Sequence, residues 1–314
     1  MKISCKNLRY YIIGSHWLIW NFVYGRIIGL RLRKILRNNQ KIKTVKQGQA
    51  VPIISSYRID SVERQEILEQ TFLLTFKNIS PNNFLIVLDA SDNEQALINK
   101  QIVERNCKAR IQYRFERKRF SSAYAELLGG INEDVVAIVF DDQPIIGYSD
   151  SLLLASQQLL IAFCGVVDVV LFEYPQHVSI NKDKKNIEVD LESLEFKKRD
   201  IKPEAIVNYS GHYFAIIKNF HYGFFFNNSI VNRDQYLSNL SYYRASTRND
   251  STVEIEDLGR RKLGPVFYYL AIPLDVYMLD FDFSRSSQSV RGENSFAQEL
   301  LMASKIYGII NKKQ

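Results

Sequence analysis

The sequence lacks the residue patterns that mark several common classes of protein. Its three cysteines, Cys5, Cys107 and Cys164, are far apart, form no Cys-x-x-Cys pair and have no metal-ligand spacing. Scattered thiols in odd number favour a reducing compartment and exclude a simple disulfide framework. The sequence also has no glycine-rich phosphate loop, dinucleotide fingerprint, His-Glu-x-x-His or Gly-x-Ser-x-Gly motif. These absences argue against the enzyme classes that those motifs define.

Acidic residues are missing from the first fifty positions. Residues 1–50 contain eleven Lys and Arg and no Asp or Glu, which leaves 30 basic and 34 acidic residues in 51–314. The N-terminal segment therefore has a net charge of +11 and the rest of the chain one of −4, which together give the overall +7. A basic footprint over the whole chain is not present, so we expect no nucleic-acid partner.

A long apolar run is also missing. No formal charge occurs from Tyr11 to Gly25, but this run is shorter than the roughly 20 residues that span a bilayer. Its large aromatic residues, with no small-residue cleavage site after them, also argue against a secretory signal. We predict that residues 1–48 form a basic, aromatic helical arm on a membrane surface. A helix packed on the protein body or on a partner subunit is the main alternative, and a true membrane span is the least favoured one.

The residues of this arm divide into two groups. Aromatic side chains are expected at headgroup depth, and basic side chains are expected to meet anionic lipid, each contributing about 1 kcal/mol near the surface. The aromatic residues are Trp17, Trp20, Phe22 and Tyr24, and the basic residues are Arg31, Arg33, Lys34 and Arg37.

Strand and helix patterns alternate after the arm. Apolar runs at 50–57, 84–89, 109–115 and 135–140 predict strands, and segments 61–79, 91–106 and 121–130 predict helices. This alternation predicts an α/β fold with a mostly parallel sheet flanked by helices. A helix over 149–163 and a strand over 166–174 follow, and the polar stretch 179–204 is a hairpin or a loop. We expect one domain over 49–285 and a C-terminal helix over 286–314.

Polar side chains follow three of the predicted strands. Tyr57 and Arg58 end the first strand, Asp89 ends the second, and Asp141 and Asp142 follow the fourth. In parallel sheets the ligand site lies beyond the carboxyl ends of the strands. Two adjacent carboxylates repel each other, and a divalent cation such as Mg²⁺ or Mn²⁺ relieves that repulsion. An aspartate that only caps a structural turn is the alternative interpretation.

Four short segments, in this order, resemble the family 2 glycosyltransferases, which have a GT-A fold. They are "SSYRID", "VLDASD", "VFDDQ" and "VEIEDLGRRKLG", and the resemblance covers roughly residues 50–275. It implies a nucleotide site made of Tyr57, Arg58, Asp89, Arg119 and Asp141. Asp89 is expected to contact the nucleobase, and Asp142, with Asp141, is expected to hold Mn²⁺ or Mg²⁺.

The resemblance also implies a general base. Asp257 or Glu256 is expected to accept the proton of the acceptor hydroxyl, with Glu254 as an alternative leading acid. The sequence departs from the Asp-x-Asp form of the metal motif, since Gln143 stands at its second acidic position. A surface helix with acids at its start and bases further along is the other interpretation of this segment.

Together these features predict a function. The implied enzyme is a metal-assisted, inverting glycosyltransferase of hexosyltransferase type, which uses a nucleotide-diphosphate sugar and a glycan or lipid-linked acceptor. We expect it in the cytoplasm on the inner face of the membrane, in polysaccharide biosynthesis. The alternative is a non-catalytic α/β binding or scaffold protein recruited to membranes. A nucleotidyltransferase is less favoured, because "SSYRIDS" lacks glycine.

Two histidines lie within an aromatic block at 209–228, and their spacing is not typical of metal ligands. His212 and His221 are interpreted as buried or acceptor-lining side chains.

Overall fold

The computed structural model describes six helices and eleven strands in thirteen segments of the chain. These segments are 23–37, 53–58, 62–76, 78, 85–89, 93–106, 110–114, 120–130, 134–140, 142–172, 203–218, 228–246 and 269–279. The helices are α1 (23–37), α2 (Val62–Phe76), α3 (Asn93–Asn106), α4 (Phe120–Gly129), α5 (Asp150–Ala162) and α6 (Arg233–Ser246). The strands are β1 (Ile53–Arg58), β2 (Leu85–Asp89), β3 (Arg110–Arg114), β4 (Val135–Ile138), β5 (Ile145–Ile146), β6 (Val167–Leu171), β7 (Ala205–Tyr209), β8 (His212–Lys218), β9 (Ser229–Asn232), β10 (Tyr269–Pro273) and β11 (Tyr277–Met278).

The first sheet is parallel and is built from consecutive strand–helix units. Its order is β1-β2-β3, and α2 and α3 connect the neighbouring strands. Parallel neighbours need a crossover connection, which a helix supplies. The edge strand β1 also lies against β4 of the second sheet, although no strand ladder joins them.

The second sheet is mixed and has the order β4-β9-β6-β10-β8-β7. Only β6 and β10 pair in parallel, and the other four pairings are antiparallel. The hairpin from β7 to β8 turns at Ser210 and Gly211, whose φ angles are +47° and +86°. Two successive positive φ angles are typical of the tight turn whose twist matches that of the flanking strands.

Alternate residues of β4 face two different cores. Val135 and Ala137 belong to a cluster formed with α1, α2, α3 and α5. Val136 and Ile138 belong to a second cluster, formed with α4 and α6. Because successive side chains of a strand point to opposite sides, helices cover both faces of this sheet.

Helix α1 packs on the protein body with one face. Ile28 and Leu32 are buried in the first core cluster. Gly29 lets the Tyr269 hydroxyl of β10 approach, since a β-carbon there would lie 3.3 Å from that oxygen. Burial and Glu204 raise the pKa of Tyr269, and Arg33 of α1 opposes this rise. Within the described segments, no helix combines the length and apolar composition needed to cross a bilayer.

The expected fold class is confirmed, although the second sheet is mixed and several elements were not predicted. The chain is α/β, with a sheet flanked by helices, and the first four strands lie where the sequence pattern predicts them. The parallel order holds for β1 to β3, whereas the second sheet is mixed. The pattern did not predict β5, β7, β8, β9, β10, β11 or α6. The predicted C-terminal helix over 286–314 lies outside the described residues.

Two leucines of α1 provide a matched test of its packing. Leu32 is 3% exposed and Leu30 is 61% exposed. We expect Leu32→Ala to lower the free energy of unfolding by about 2–5 kcal/mol, because it removes buried methyl groups and leaves a cavity. We expect Leu30→Ala to change it by less than about 0.5 kcal/mol. Urea unfolding measures both, and equal effects would show that α1 does not pack as described.

Candidate functional site

Asp142 is the buried acid of the structure. It is 6% exposed, and no other Asp, Glu, Lys or Arg is buried among the residues whose side chains are described. It lies just after β4, in a turn closed by a hydrogen bond of 3.3 Å from the Gln143 N–H to the Phe140 carbonyl oxygen. Burying a carboxylate is costly unless charges or hydrogen bonds compensate it. The buried Asp142 is therefore a candidate functional residue.

The Asn228 side chain holds both ends of this turn. Its Oδ1 accepts a hydrogen bond of 2.7 Å from the Phe140 N–H, and its Nδ2 donates to the Gln143 carbonyl oxygen. Its own carbonyl oxygen accepts a bond of 3.1 Å from the Phe172 N–H, beyond the end of β6. Asn228 is fully buried. One amide side chain thus fixes the backbone on either side of Asp142.

The chain beyond the turn is fixed as well. The Ile145 N–H donates a hydrogen bond of 3.0 Å to Thr75 Oγ1 of α2. The Leu279 N–H donates one of 3.0 Å to the Pro144 carbonyl oxygen, and β5 pairs with β11. The turn that carries Asp142 is therefore held from three directions, which limits how far its carboxylate can move.

Tyr148 lies between this segment and α5. Its ring is fully buried and meets Phe172 edge-on, with ring centroids 5.9 Å apart. Burial, and to a lesser extent Asp150, raises the pKa of Tyr148 well above its ordinary value. The phenol therefore stays neutral at physiological pH.

The ends of the parallel strands carry a second group of charged residues. Arg58 pairs in register with Asp89, and Asp89 pairs in register with Arg114. Tyr57 is the preceding residue of β1. The structure thus brings two of the predicted nucleotide residues, Arg58 and Asp89, to the same level of neighbouring strands. Arg114 at this level was not predicted, although the charged end of "RIQYR" was a usable signal.

The length of helix α2 indicates the distance between the turn that carries Asp142 and the charged ends of the parallel strands. It begins four residues after Arg58 and has 15 residues, so it is about 22 Å long. The segment after Asp142 contacts its last turn through Thr75, and Asn78 forms a bridge with Ser149. Asp142 follows β4 near the C-terminal end of α2, whereas Asp89 is level with Arg58, near the N-terminal end of α2. A cleft shared by Asp142 and Asp89 would have to extend between these two ends. That shared cleft stays a prediction.

Four predicted site residues lie outside the described part of the chain. They are Arg119, Asp141, Glu256 and Asp257. The described residues contain no cluster of three or more His, Cys, Asp or Glu that could hold a metal ion. Asp142 supplies carboxylate oxygen atoms, which Mn²⁺ and Mg²⁺ prefer, so its donor chemistry fits the expected cation.

No protein-family model matches this chain, and no curated protein matches it significantly. Solved structures with a similar arrangement include glycosyltransferases and nucleotidyltransferases. One is a mannosyltransferase from Pyrobaculum calidifontis in complex with GDP-Man and Mn²⁺, with 14% identity, a TM-score of 0.30 and coverage of 52% of this chain and 47% of that one. The chain thus spans just under half of that mannosyltransferase.

Two further similar structures cover more of the chain. A CMP:2-keto-3-deoxy-manno-octonic acid synthetase in complex with CTP has 10% identity, a TM-score of 0.40 and coverage of 82% of this chain and 100% of that one. The apo form of mouse xyloside xylosyltransferase 1 has 9% identity, a TM-score of 0.34 and coverage of 69% and 80%. These TM-scores are low, so function must be argued from the residues of this chain.

The role of Asn228 can be tested with a second buried asparagine as control. We expect Asn228→Ala to destabilise the protein by about 2–4 kcal/mol, because the buried Phe140 N–H and the partly buried Gln143 carbonyl oxygen each lose a hydrogen bond. Asn239 of α6 is also buried, but its Oδ1 accepts only from Gln235. We expect Asn239→Ala to cost about 1 kcal/mol. Chemical unfolding compares them, and a smaller loss at Asn228 would contradict the clamp.

Proposed function

We propose that this protein is a glycosyltransferase similar to family 2, which transfers a hexosyl group from a nucleotide-diphosphate sugar to a glycan or lipid-linked acceptor with inversion. The transferase domain is proposed at 49–285, between an arm at 1–48 and a helix at 286–314. The observation that carries this proposal is the buried carboxylate of Asp142 in its clamped turn after β4. The order of the four sequence motifs supports it independently.

The rigid turn suits a metal-assisted reaction. Asp142 and Asp141 would hold the cation, either Mn²⁺ or Mg²⁺, which would stabilise the negative charge that develops on the leaving diphosphate. Asn228 contributes by keeping the backbone beside Asp142 in one position, so that the carboxylate need not be ordered when the donor binds. Asp257 or Glu256 is proposed to accept the proton of the acceptor hydroxyl.

The parallel strand ends suit the nucleotide. Asp89 is proposed to bind the base, with Tyr57 beside it, and Arg58 is proposed to face the donor together with Arg119. The register of Arg58 with Asp89 supports this assignment, because it places both at the same end of adjacent strands. One base and one metal, without a second catalytic carboxylate, imply a single displacement and therefore inversion at the anomeric carbon.

Binding of the donor is tested by thermal shift. With Mn²⁺ present, we expect UDP or GDP, and one of their sugars, to raise the melting temperature. Ligand at one hundred times its Kd stabilises the folded state by about 2.7 kcal/mol. We expect Asp142→Ala to abolish this shift. Release of free nucleoside diphosphate from the stabilising sugar then identifies turnover.

The control is an acid at the other end of the same strand. Asp134 directly precedes β4 and is exposed. Asp134→Ala removes the same charge, and we expect it to retain the nucleotide shift. No shift with any nucleotide sugar, or equal loss in both variants, contradicts the proposed site. Lipid binding without nucleotide binding would favour the non-catalytic scaffold protein instead.

We also propose that α1 attaches the protein to the cytoplasmic face of a membrane. Val23, Ile27 and Leu30 are between 44% and 61% exposed, and their spacing places them along one face of the helix. Exposed basic residues surround this face, namely Arg26, Arg31, Arg33, Lys34 and Arg37. An exposed apolar stripe with basic flanks matches an anionic lipid surface.

Vesicle flotation tests this attachment. We expect the full chain to bind vesicles of phosphatidylcholine with about one third phosphatidylserine, and to bind pure phosphatidylcholine weakly. Arg31→Glu with Lys34→Glu should reduce binding at least tenfold, since each basic residue contributes about 1 kcal/mol. The control Lys100→Glu with Arg244→Glu makes the same charge change on exposed positions of α3 and α6. Equal losses would indicate attraction by net charge and contradict a specific role of α1.

A further inference from the structure

Three side chains outside the proposed transferase site form a continuous hydrogen-bonded row. The His212 Nδ1 atom lies 2.9 Å from Asp275 Oδ2, and its Nε2 atom lies 2.9 Å from Ser151 Oγ. Ser151 is in the first turn of α5, His212 begins β8, and Asp275 follows β10. The row therefore joins three separate elements.

The order of atoms in this row is that of a serine nucleophile, a base and an orienting acid. An ionised Asp275 can only accept, so the Nδ1 atom of a neutral His212 ring carries the proton. The Nε2 atom is then the acceptor, and the Ser151 hydroxyl donates to it. This tautomer is the one in which a histidine can take the proton of a serine as it attacks.

The segments that carry Ser151 and His212 are each held by local hydrogen bonds. The Ser149 Oγ atom caps α5 by accepting from the Leu152 N–H at 3.2 Å, and it also lies within hydrogen-bond distance of Ser151 Oγ, at 3.0 Å. These contacts fix the turn that contains Ser151. The Ser210 hydroxyl donates to Gln158 Oε1 of α5 at 2.8 Å, so the hairpin before His212 is fastened to the same helix. The row is thus built on fixed elements.

The nucleophile is open to solvent, while the base is not. Ser151 is exposed, the His212 side chain is 15% exposed, and the Asp275 side chain is 53% exposed. Ser151 is also the second residue of α5, where a backbone N–H has no partner within the helix. That N–H and the helix dipole favour negative charge on a substrate oxygen next to the serine.

We propose that Ser151, His212 and Asp275 form a second catalytic centre, which hydrolyses carboxylic esters with small acyl groups. Ser151 Oγ attacks the carbonyl carbon and passes its proton to His212 Nε2. The carbon–oxygen bond to the alcohol breaks, and the alcohol leaves with that proton. Water then attacks the acylated serine with His212 as base, releases the carboxylic acid and restores Ser151. The open position of the serine suits small acyl groups on a larger, solvent-exposed alcohol.

The first experiment uses the full chain with p-nitrophenyl acetate and with a fluorophosphonate probe, which replaces its fluoride with a serine oxygen. We expect hydrolysis of the ester, and one adduct that peptide mapping assigns to Ser151. Ser151→Ala should remove the adduct, and His212→Gln should lower kcat/KM by about 10²–10³-fold. No adduct, or an adduct on the neighbouring Ser149, overturns the proposal.

A matched variant tests whether the row is only a structural link between the hairpin and α5 or also a catalytic centre. Ser210→Ala also removes a hydrogen bond between these two elements, but it leaves the row intact. We expect Ser210→Ala to keep full esterase activity at a melting temperature similar to that of Ser151→Ala. If the two variants lose activity equally, the row is structural only.

Asp275 is a positioning residue, and its role has its own readout. We expect Asp275→Asn to lower the rate and to change its pH profile, because the favoured histidine tautomer is lost. Asp275→Glu should restore part of the rate.

If Ser151→Ala fails to fold, Ser151→Cys serves instead. Its thiol should react with iodoacetamide faster than the exposed Cys164, and His212→Gln should abolish the difference. Equal reactivity of the two thiols overturns the proposal.

Discussion

The arrangement of the proposed transferase site depends on one buried amide. Asn228 binds the backbone before and after Asp142 with its side chain, and binds the end of β6 with its main chain. The Phe140 N–H is buried and the Gln143 carbonyl oxygen is partly buried, so loss of the side-chain amide would remove a hydrogen bond from each of them. The same residue that completes the hydrogen bonding of β4, β6 and β9 also defines where the carboxylate can lie. Stability of the fold and placement of the acid are therefore coupled at this point.

Helix α1 shows how one segment can serve two surfaces. Ile28 and Leu32 face the core, whereas Val23, Ile27 and Leu30 face outwards among basic residues. The two alternatives that the sequence left open, a packed helix and a membrane-surface helix, are thus compatible in space. The packed face gives the outer face a fixed orientation relative to the domain. A lipid surface bound there would meet the protein from a defined side.

The sequence predicted local structure better than long-range structure. Strands β1 to β4 and helices α2 to α5 follow from periodicity, since each segment carries its own apolar pattern. Strand β9 was missed because its partners, β4 and β6, come much earlier in the chain, and four residues show too little pattern. Asp142 was predicted from a pair of acids, but Asn228 was not. Its role depends on a contact 88 residues away, and the Asn227–Asn228 pair after a run of Phe was its only signal.

The position of β9 has a consequence for synthesis on the ribosome. It lies between β4 and β6 and is antiparallel to both, yet it leaves the ribosome after them. From Leu171 to Ser229, translation at about 5–20 residues per second takes roughly 3–12 s. During that interval the edges of β4 and β6 that pair with β9 have no partner strand, and such unpaired edges readily pair with other chains. Until β9 is synthesised, the nascent chain is therefore prone to wrong strand pairing unless a chaperone or the nearby helices cover these edges.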